Sequence, residues 1–220
     1  MKYRSVLFVP AHEEKKIKKA YTLNADLIVL DLESTVPKDQ KEEAKKIIKE
    51  CNVNKDQTYI RINNNSDIEF VTSEKFVGIF LPFTETKKQL LEIDELLKKK
   101  EKLRTDVIPI LESINGLANL DEICSFSERI QIISFGSHDL AKSINLEISE
   151  DEKEILKFRK NIVNKSKNIK SPIDTSYLNF KDLNGFEISC NLVKKLGFGG
   201  KACIHPDQVK ISNKIFNEKY

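Results

Sequence analysis

The chain has 220 residues, with 37 basic and 34 acidic side chains and a formal net charge of +3. A charge this close to balance argues against a dedicated nucleic-acid surface, and the length suffices to bury a full hydrophobic core. No apolar stretch is long enough for a membrane span or for the hydrophobic region of a signal peptide, so we expect a cytoplasmic protein without membrane contact.

The predicted elements alternate between strand and helix along nearly the whole chain. Continuous runs of valine, isoleucine and leucine suit parallel strands that are buried on both faces. Eight strands with helices between them predict an α/β fold, a single (β/α)8 TIM barrel that forms one domain over residues 1–220. The predicted strands are residues 5–10, 27–33, 59–63, 78–83, 107–113, 130–136, 169–174 and 200–205.

Apolar residues at helical spacing predict amphipathic helices between the strands. One lies within residues 84–104, and another lies within 180–197 and is expected to end at Gly197. The segment between Asp139 and Ile169 is longer and highly charged, so we expect an extra turn or short helix there. The glycine-rich residues 197–201 lack the spacing of a phosphate-binding loop, and we predict a tight turn into the last strand.

The lysines and cysteines have plain structural interpretations. Lysine runs at 15–16, 18–19 and 98–100 fall in helical stretches and are interpreted as solvated helix faces. None of the cysteines belongs to a CxxC pair, which favours buried free thiols in a reducing compartment. The four cysteines are Cys51, Cys124, Cys190 and Cys203.

Six of the apolar runs end in an ionisable or strongly polar residue. In an α/β barrel the active site is built at the carboxyl ends of the strands, so this repetition predicts one shared site. A lone histidine, His205, follows the eighth strand, where a structural role or a hydrogen bond at the barrel rim is favoured over general-base catalysis.

Two carboxylates follow adjacent strands of the predicted barrel. Glu112 ends the fifth strand and Asp139 follows the sixth, so their side chains are expected to lie close together. Such a pair beside open space suits Mg²⁺, which prefers oxygen ligands and keeps waters that a substrate can displace. Each carboxylate could instead cap the helix that follows it. The pairing, with Glu33 as a third carboxylate, favours the metal.

Arg61 ends the third strand, where apolar residues flank it. A cation in a central strand needs an anionic partner, and the planar guanidinium matches a carboxylate in bidentate fashion. We expect a substrate carboxylate as that partner, with a structural ion pair to Asp31 or Glu33 as the alternative.

These motifs resemble the citrate lyase β-subunit-like branch of the HpcH/HpaI aldolase family. The matching segments run in collinear order over nearly the whole chain: 4–10 (RSVLFVP), 29–33 (VLDLE), 59–63 (YIRIN), 110–113 (ILES), 135–141 (FGSHDLA) and 199–208 (GGKACIHPDQ). The resemblance implies a barrel that cleaves or forms a carbon–carbon bond next to a thioester or keto acid.

The resemblance also implies roles for individual residues. It makes Glu112 and Asp139 the ligands of a Mg²⁺ cofactor, Arg61 the group that binds the substrate carboxylate, and Glu33 an acidic residue beside the metal. Arg61 and Glu33 are therefore the expected catalytic residues. Further substrate contacts are expected from Pro82 in the fourth predicted strand and from three residues of the 135–141 motif: Gly136, Ser137 and His138.

The partners implied by the resemblance are small molecules and a second copy of the chain. Mg²⁺ would chelate a 2-keto acid of the oxaloacetate, pyruvate or glyoxylate type and polarise its carbonyl. Acyl-CoA or acyl carrier protein would supply the thioester, and a homo-oligomer is expected, with a trimer favoured.

The chain departs from the family pattern at several positions. Ser34 stands where an aspartate usually follows the strand-two glutamate, Phe83 replaces a lysine after Pro82, and Ala11 replaces a glycine after the first strand. The chain resembles a short form without the C-terminal lid segment. Asp207 and Glu218 are expected in a terminal helix outside the barrel, so a late general acid should come from a neighbouring subunit or a partner chain.

Three functions follow from these observations. The first is a Mg²⁺-dependent lyase for a keto acid and a thioester, and the second is a metal-dependent aldolase for a free 2-keto acid. The third is a catalytically weakened barrel that binds a keto acid and works with a partner protein. Retention of Arg61, Glu112 and Asp139 argues against the third, and the short C-terminus argues against the first.

Overall fold

The structure, a computed structural model, describes residues 3–217. Eight parallel strands form a closed barrel in sequence order, so the predicted (β/α)8 TIM barrel is confirmed. The strands are β1 Ser5–Pro10, β2 Leu27–Asp31, β3 Thr58–Arg61, β4 Gly78–Leu81, β5 Asp106–Leu111, β6 Ser134–Phe135, β7 Ile173–Asp174 and β8 Gly200–Cys203.

Helices connect the strands and cover the outside of the barrel. They are α1 Glu14–Ala20, α2 Lys41–Glu50, α3 Asp67–Glu74, α4 Lys87–Lys100, α5 Ile114–Ala118, α6 Leu120–Cys124, α7 Ser137–Ser143, α8 Leu156–Lys165, α9 Leu183–Leu196 and α10 Pro206–Asn217. Short 3₁₀ helices form at Lys38–Gln40, Lys55–Gln57 and Lys153–Ile155.

Each strand contributes side chains to two apolar layers, because successive residues of a strand point to opposite faces. Val29 and Phe80 belong to the inner layer, where the Phe80 ring makes edge contacts with Phe8 and Tyr59. Ile28 and Leu30 belong to the outer layer, between the strands and the helices. Burial on both faces explains why the strands appear in the sequence as uninterrupted apolar runs.

The helix predictions agree with the structure. Helix α4 lies within residues 84–104, and α9 ends at Gly197, whose φ of 112° is in the left-handed region that favours glycine. The charged insert forms α7, α8 and the 3₁₀ turn between them. Lys201 is fully buried, and its Nζ lies 2.5 Å from Asp174 Oδ2, so it does not belong to a phosphate-binding loop.

The sixth and seventh strands are shorter than predicted. Residues 130–136 and 169–174 were expected to be strands, but only Ser134–Phe135 and Ile173–Asp174 have strand geometry. Ile130, Ile132 and Ile133 are nevertheless buried. The apolar run at residues 130–133 therefore indicates a buried segment and not a strand. Its backbone makes isolated hydrogen bonds instead of a continuous ladder.

Other predictions concern the surface and the termini. None of the helices formed by residues 3–217 combines the length and hydropathy that crossing a membrane requires. All four cysteines are free thiols, with Cys51 half-buried and the other three buried. Asp207 lies in α10, whereas Glu218 lies outside the described residues.

Candidate active site

A cavity of about 840 Å³ opens at the carboxyl end of the barrel. It brings together residues that are far apart in the sequence, because all eight parallel strands end at this face. The predicted site residues that line it are Arg61, Glu112, Gly136, His138 and Asp139.

Glu112 directly follows β5 and is only 3% exposed. Its Oε1 accepts a 2.7 Å hydrogen bond from the backbone N–H of Phe83. Burial raises the pKa of Glu112 from its ordinary value of 4.5 to about 7, and the carboxylates of Asp139 and Glu33 act in the same direction. A buried carboxylate under repulsion from its neighbours is a group that a bound cation would stabilise.

The residue that donates to Glu112 has an unusual backbone. Phe83 has a φ of 46°, in a region that bulky side chains rarely adopt. The following residue holds this turn, since Thr84 N–H donates to the Ile110 carbonyl and its hydroxyl donates to the Leu81 carbonyl. The turn after β4 therefore aims a backbone N–H at the Glu112 carboxylate from a neighbouring strand.

Gly136 gives the Glu112 carboxylate the space that it occupies. A Cβ atom on Gly136 would lie 2.6 Å from Glu112 Oε2 and 2.8 Å from Glu112 Cβ. Any side chain at this position would displace Glu112. Glycine is therefore required because the Glu112 side chain packs directly against the backbone of residue 136, and not because of its backbone angles.

Asp139 lies in the first turn of α7, where it is exposed and lines the cavity. The capping alternative does not describe either carboxylate. Ser113 caps α5 by accepting from Gly116 N–H, and α7, which Gly136 precedes at the N-cap position, has no side-chain cap. Glu112 and Asp139 are therefore free to act toward the cavity.

Arg61 makes the ion pair that the sequence offered as its alternative role. Its Nε donates to Asp31 Oδ1 at 2.6 Å and its Nη2 to Asp31 Oδ2 at 2.5 Å, because the two residues are register partners on β2 and β3. Nη2 also donates to Ser34 Oγ. Burial alone would raise the pKa of Asp31, but the hydrogen bonds and charge of Arg61 hold it below the usual range.

One edge of the Arg61 guanidinium is not taken up by Asp31. Nη1 lies 3.5 Å from Glu33 Oε2, and the Arg61 side chain keeps 13% of its surface exposed where it lines the cavity. The ring of Phe8 lies under the guanidinium, with its centroid 5.4 Å from Cζ. Arg61 is thus held by Asp31 on one edge, lies beside Glu33 and Ser34 on the other, and still lines the cavity.

The remaining predicted site residues occupy different positions. His138 lines the cavity, and its Nε2 lies 3.0 Å from the Ser176 carbonyl oxygen. Ser137 is fully buried and hydrogen-bonds Thr175, so it stands behind the cavity wall. Pro82 and Glu33 flank the site without belonging to the residues that line the cavity.

His205 lies at the rim, as expected. Its ring stacks on Phe180 with a centroid distance of 5.0 Å, and its Nδ1 accepts a 3.3 Å hydrogen bond from Asp207 N–H. These contacts, together with its place in the cavity lining, agree with a rim position.

Sequence reasoning missed several residues of the site. Asp31 was considered only as an ion-pair partner, although it fixes the orientation of Arg61. Lys15, Lys16 and Lys19 are exposed, as predicted, but they also line the cavity mouth. Their position next to the carboxyl end of β1 was the signal that could have identified them.

The donor set can be compared with the requirements of a metal. Within residues 3–217, no group of three or more His, Cys, Asp or Glu side chains is arranged to hold a metal ion. Mg²⁺ is commonly bound by one or two carboxylates, with waters and substrate oxygens as its other ligands. The Glu112–Asp139 pair therefore fits Mg²⁺ better than a metal that needs an all-protein cage.

The chain is similar to several known proteins over most of its length. A model of the family described as HpcH/HpaI aldolase/citrate lyase matches residues 4–206. Mitochondrial citramalyl-CoA lyase of Rattus norvegicus is 28% identical over an aligned length of 239 residues. The alignment covers 97% of this chain and 71% of the relative. Citrate lyase subunit beta of Leuconostoc mesenteroides subsp. cremoris is 27% identical over 230 residues, which cover 97% of this chain and 76% of the relative.

A solved structure has the same fold. The citrate lyase beta subunit from M. tuberculosis, complexed with oxaloacetate and magnesium, superposes with a TM-score of 0.85 at 23% sequence identity. The match covers 99% of this chain and 100% of that chain. At this identity the likeness supports the barrel architecture.

Proposed function

Because the chain belongs to the HpcH/HpaI aldolase/citrate lyase family, we propose that it is a Mg²⁺-dependent carbon–carbon lyase for a 2-keto acid and an acyl thioester. The observation that carries this proposal is that Glu112, Asp139 and Arg61 line one cavity. Two carboxylates offer a place for a cation, and the guanidinium offers a separate place for a substrate carboxylate.

Glu112 and Asp139 are the residues that would hold Mg²⁺. When bound, the metal supplies a Lewis acid that polarises the keto-acid carbonyl and stabilises the oxyanion that develops as the carbon–carbon bond breaks. Glu112 is pre-positioned by the Phe83 N–H, which holds one carboxylate oxygen, and by Gly136, which leaves room for the other. Magnesium as the metal is supported by the M. tuberculosis citrate lyase beta subunit, which is complexed with oxaloacetate and magnesium.

Arg61 is proposed to bind the carboxylate of the keto acid through the edge that Asp31 does not occupy. The Asp31 carboxylate fixes the guanidinium plane, so little side-chain entropy is lost when the substrate binds. Glu33 stands beside this edge and adds negative charge near Glu112. We propose that Glu33 is the acidic residue next to the metal and that Arg61 and Glu33 act together on the substrate.

The outer cavity supports a thioester as the second reactant. Lys15, Lys16 and Lys19 line one part of the mouth, and the apolar residues Leu178 and Phe180 line another. A long acyl carrier with phosphate groups would find both cations and an apolar wall there. The name of the relative citramalyl-CoA lyase supports coenzyme A as the carrier.

We further infer a cytoplasmic homo-oligomer, with a trimer favoured by the family resemblance. A neighbouring copy would supply the late general acid that the family resemblance implies. Light scattering on the purified chain tests the trimer directly, because a stable monomer has one third of the predicted mass.

Product analysis by mass spectrometry tests the proposed reaction. Malyl-CoA, citramalyl-CoA and citryl-CoA are offered with and without Mg²⁺, and free 2-keto acids with aldehydes serve as the comparison set. We expect Mg²⁺-dependent release of a keto acid and an acyl-CoA from at least one thioester, and loss of this activity in the Glu112→Gln variant.

The control is a carboxylate outside the site. Glu74→Gln removes a half-buried glutamate that pairs with Lys49 and Lys55 at the opposite end of β3, and it should retain activity. Turnover of keto acids and aldehydes without any thioester cleavage would assign a free-keto-acid aldolase instead. Thioester cleavage that continues without Mg²⁺ would overturn the metal-dependent mechanism.

A further inference from the structure

The helix that carries Asp139 follows a short strand with few backbone pairs to β7. It begins two residues after β6, a strand of only two residues, which pairs with β7 at a single position, Ser134 with Ile173. No side-chain cap closes the amino end of α7. Other contacts must therefore fix the start of this helix.

Two consecutive residues after β7 provide those contacts. Thr175 Oγ1 accepts from the Ser137 N–H at 3.2 Å and from the Ser137 hydroxyl at 3.0 Å. The next residue along, Ser176, places its carbonyl oxygen 3.0 Å from His138 Nε2. Thr175 and Ser176 thus hold the first two residues of α7, and Asp139 is the third.

The Thr175 contacts are buried, although the residue also forms part of the cavity wall. Thr175 is 2% exposed and Ser137 is fully buried. A buried backbone N–H without a partner costs roughly 1–3 kcal/mol, so the Thr175 hydroxyl satisfies a donor that the helix itself cannot.

The residue before Thr175 is fixed from the outside of the barrel. Asp174 is fully buried and receives Arg159 Nε and Nη2 at 2.9 Å each, as well as Lys201 Nζ at 2.5 Å. Thr175 directly follows Asp174 and lines the cavity, so the contacts that anchor Asp174 also limit where Thr175 can stand. The buried ion group and the threonine hydroxyl form one continuous connection from α8 to α7.

We infer that Thr175 is a positioning residue for Asp139, which sets where the second carboxylate stands relative to Glu112. The inference rests on the proposed function, in which Asp139 and Glu112 hold Mg²⁺. Groups that orient metal ligands through hydrogen bonds commonly change metal affinity by about 10–100-fold when they are removed. Thr175 acts here through the backbone and hydroxyl of Ser137, two residues before the ligand.

The test compares three variants with the wild-type protein. Thr175→Val keeps the shape of the side chain but removes the acceptor, and Thr175→Ser retains the hydroxyl. Thr58→Val is the matched control, because Thr58 is also fully buried and makes two 2.6 Å hydrogen bonds, to Tyr21 and Asn54, but lies at the other end of the barrel. Mg²⁺ binding is measured by calorimetry with saturating oxaloacetate, and hydrogen exchange of the Ser137 amide is measured by NMR without metal.

We expect Thr175→Val to weaken Mg²⁺ binding by about tenfold or more and to accelerate exchange of the Ser137 amide. Thr175→Ser should restore both, and Thr58→Val should lose stability while leaving both unchanged. If Thr175→Val fails to fold, Ser137→Ala removes one of the two hydrogen bonds and should give a smaller loss in the same direction.

The outcomes separate this inference from the proposed function. The role of Thr175 is overturned, and the proposed function is not, if Thr175→Val binds Mg²⁺ as tightly as the wild type does. The same conclusion follows if Thr58→Val loses as much Mg²⁺ affinity as Thr175→Val. Absence of oxaloacetate-linked Mg²⁺ binding in the wild type overturns the proposed function, and the role of Thr175 falls with it. Ser137 exchange that does not respond to Thr175→Val shows that the threonine does not hold α7.

Discussion

The two halves of the barrel wall are held together in different ways. In the first half, β1 and β2 pair continuously from Val6–Leu27 to Pro10–Asp31, and the following strands continue this ladder. In the second half, β6 and β7 meet at one position, and buried side chains replace the missing backbone pairing.

This difference coincides with the two parts of the candidate site. Arg61 and Asp31 lie on the continuous ladder, where strand register alone makes them partners. Asp139 lies on the other half, where its place depends on hydroxyl and ionic contacts behind the wall. Arg61, the proposed anion-binding residue, thus lies where strand pairing is continuous, whereas the position of Asp139, one of the two proposed metal ligands, depends on side-chain contacts.

The largest effect is expected from breaking the buried ion group of the second half. Asp174→Asn leaves the fully buried Lys201 without its carboxylate and leaves Arg159 with only Glu152, whose Oε2 lies 3.0 Å from Nη2. Removing one partner of such a group costs about 3–5 kcal/mol. Urea unfolding should show this loss, and hydrogen exchange should accelerate in α7, α8 and β7 before it does in β1 and β2.

Asp26→Asn is the control in the first half. Asp26 accepts from Arg4 Nε and Nη2 at 2.8 and 2.7 Å but is partly exposed, so the variant should lose far less stability. An equal loss in the two variants would show that the two halves do not differ in the way described.

The next effect is the change in the free energy of unfolding with pH that Glu112 causes. The folded-state pKa of Glu112 is raised to about 7 from 4.5, so its protonated form is favoured in the folded protein. The stability that protonated Glu112 contributes is fully present below 4.5, the pKa of the residue in the unfolded chain. It is lost as the pH rises through about 7, the pKa in the folded protein. Because one pKa unit corresponds to about 1.4 kcal/mol, the loss between pH 4 and pH 8 without Mg²⁺ should be about 3 kcal/mol.

Glu112→Gln provides the comparison for this prediction. The variant cannot ionise at this position, so its unfolding free energy should exceed that of the wild type at pH 8 by more than it does at pH 4. A difference between the two proteins that stays constant over this range would assign Glu112 an ordinary pKa.

The smallest effect is expected at Arg61, the proposed anion-binding residue. Arg61→Lys keeps the charge but loses the fork that binds Asp31 on one edge and leaves the other edge to the cavity. We expect affinity for oxaloacetate to fall by about tenfold, equivalent to about 1.4 kcal/mol. Arg4→Lys, at the other end of the barrel, should leave it unchanged, and unaltered oxaloacetate binding by Arg61→Lys would restrict Arg61 to its structural ion pair.

The first half was more predictable from the sequence than the second. Apolar runs predicted all eight strands, and the polar residues at their ends predicted Arg61, Glu112 and Asp139 at one face of the barrel. The lengths of β6 and β7 were overestimated, because a buried loop and a buried strand have the same apolar composition.

The contacts between side chains could not be predicted in this way. Thr175 stands among polar loop residues with no local pattern, and its role becomes visible only when α7 lies beside β7. The preference of Arg61 for Asp31 depends on the register of β2 against β3, which a single sequence does not determine. The positive φ of Phe83 likewise has no signal, since glycine or asparagine would be expected there.

Calorimetric titration of Mg²⁺ with and without oxaloacetate tests the central claim most directly. Wild-type protein should bind Mg²⁺ weakly alone and more tightly with oxaloacetate, because the keto acid supplies oxygen ligands that the two carboxylates lack. Glu112→Ala and Asp139→Ala should each abolish this coupling. If both variants keep the wild-type coupling, Glu112 and Asp139 are not the metal ligands and the proposed lyase site is wrong.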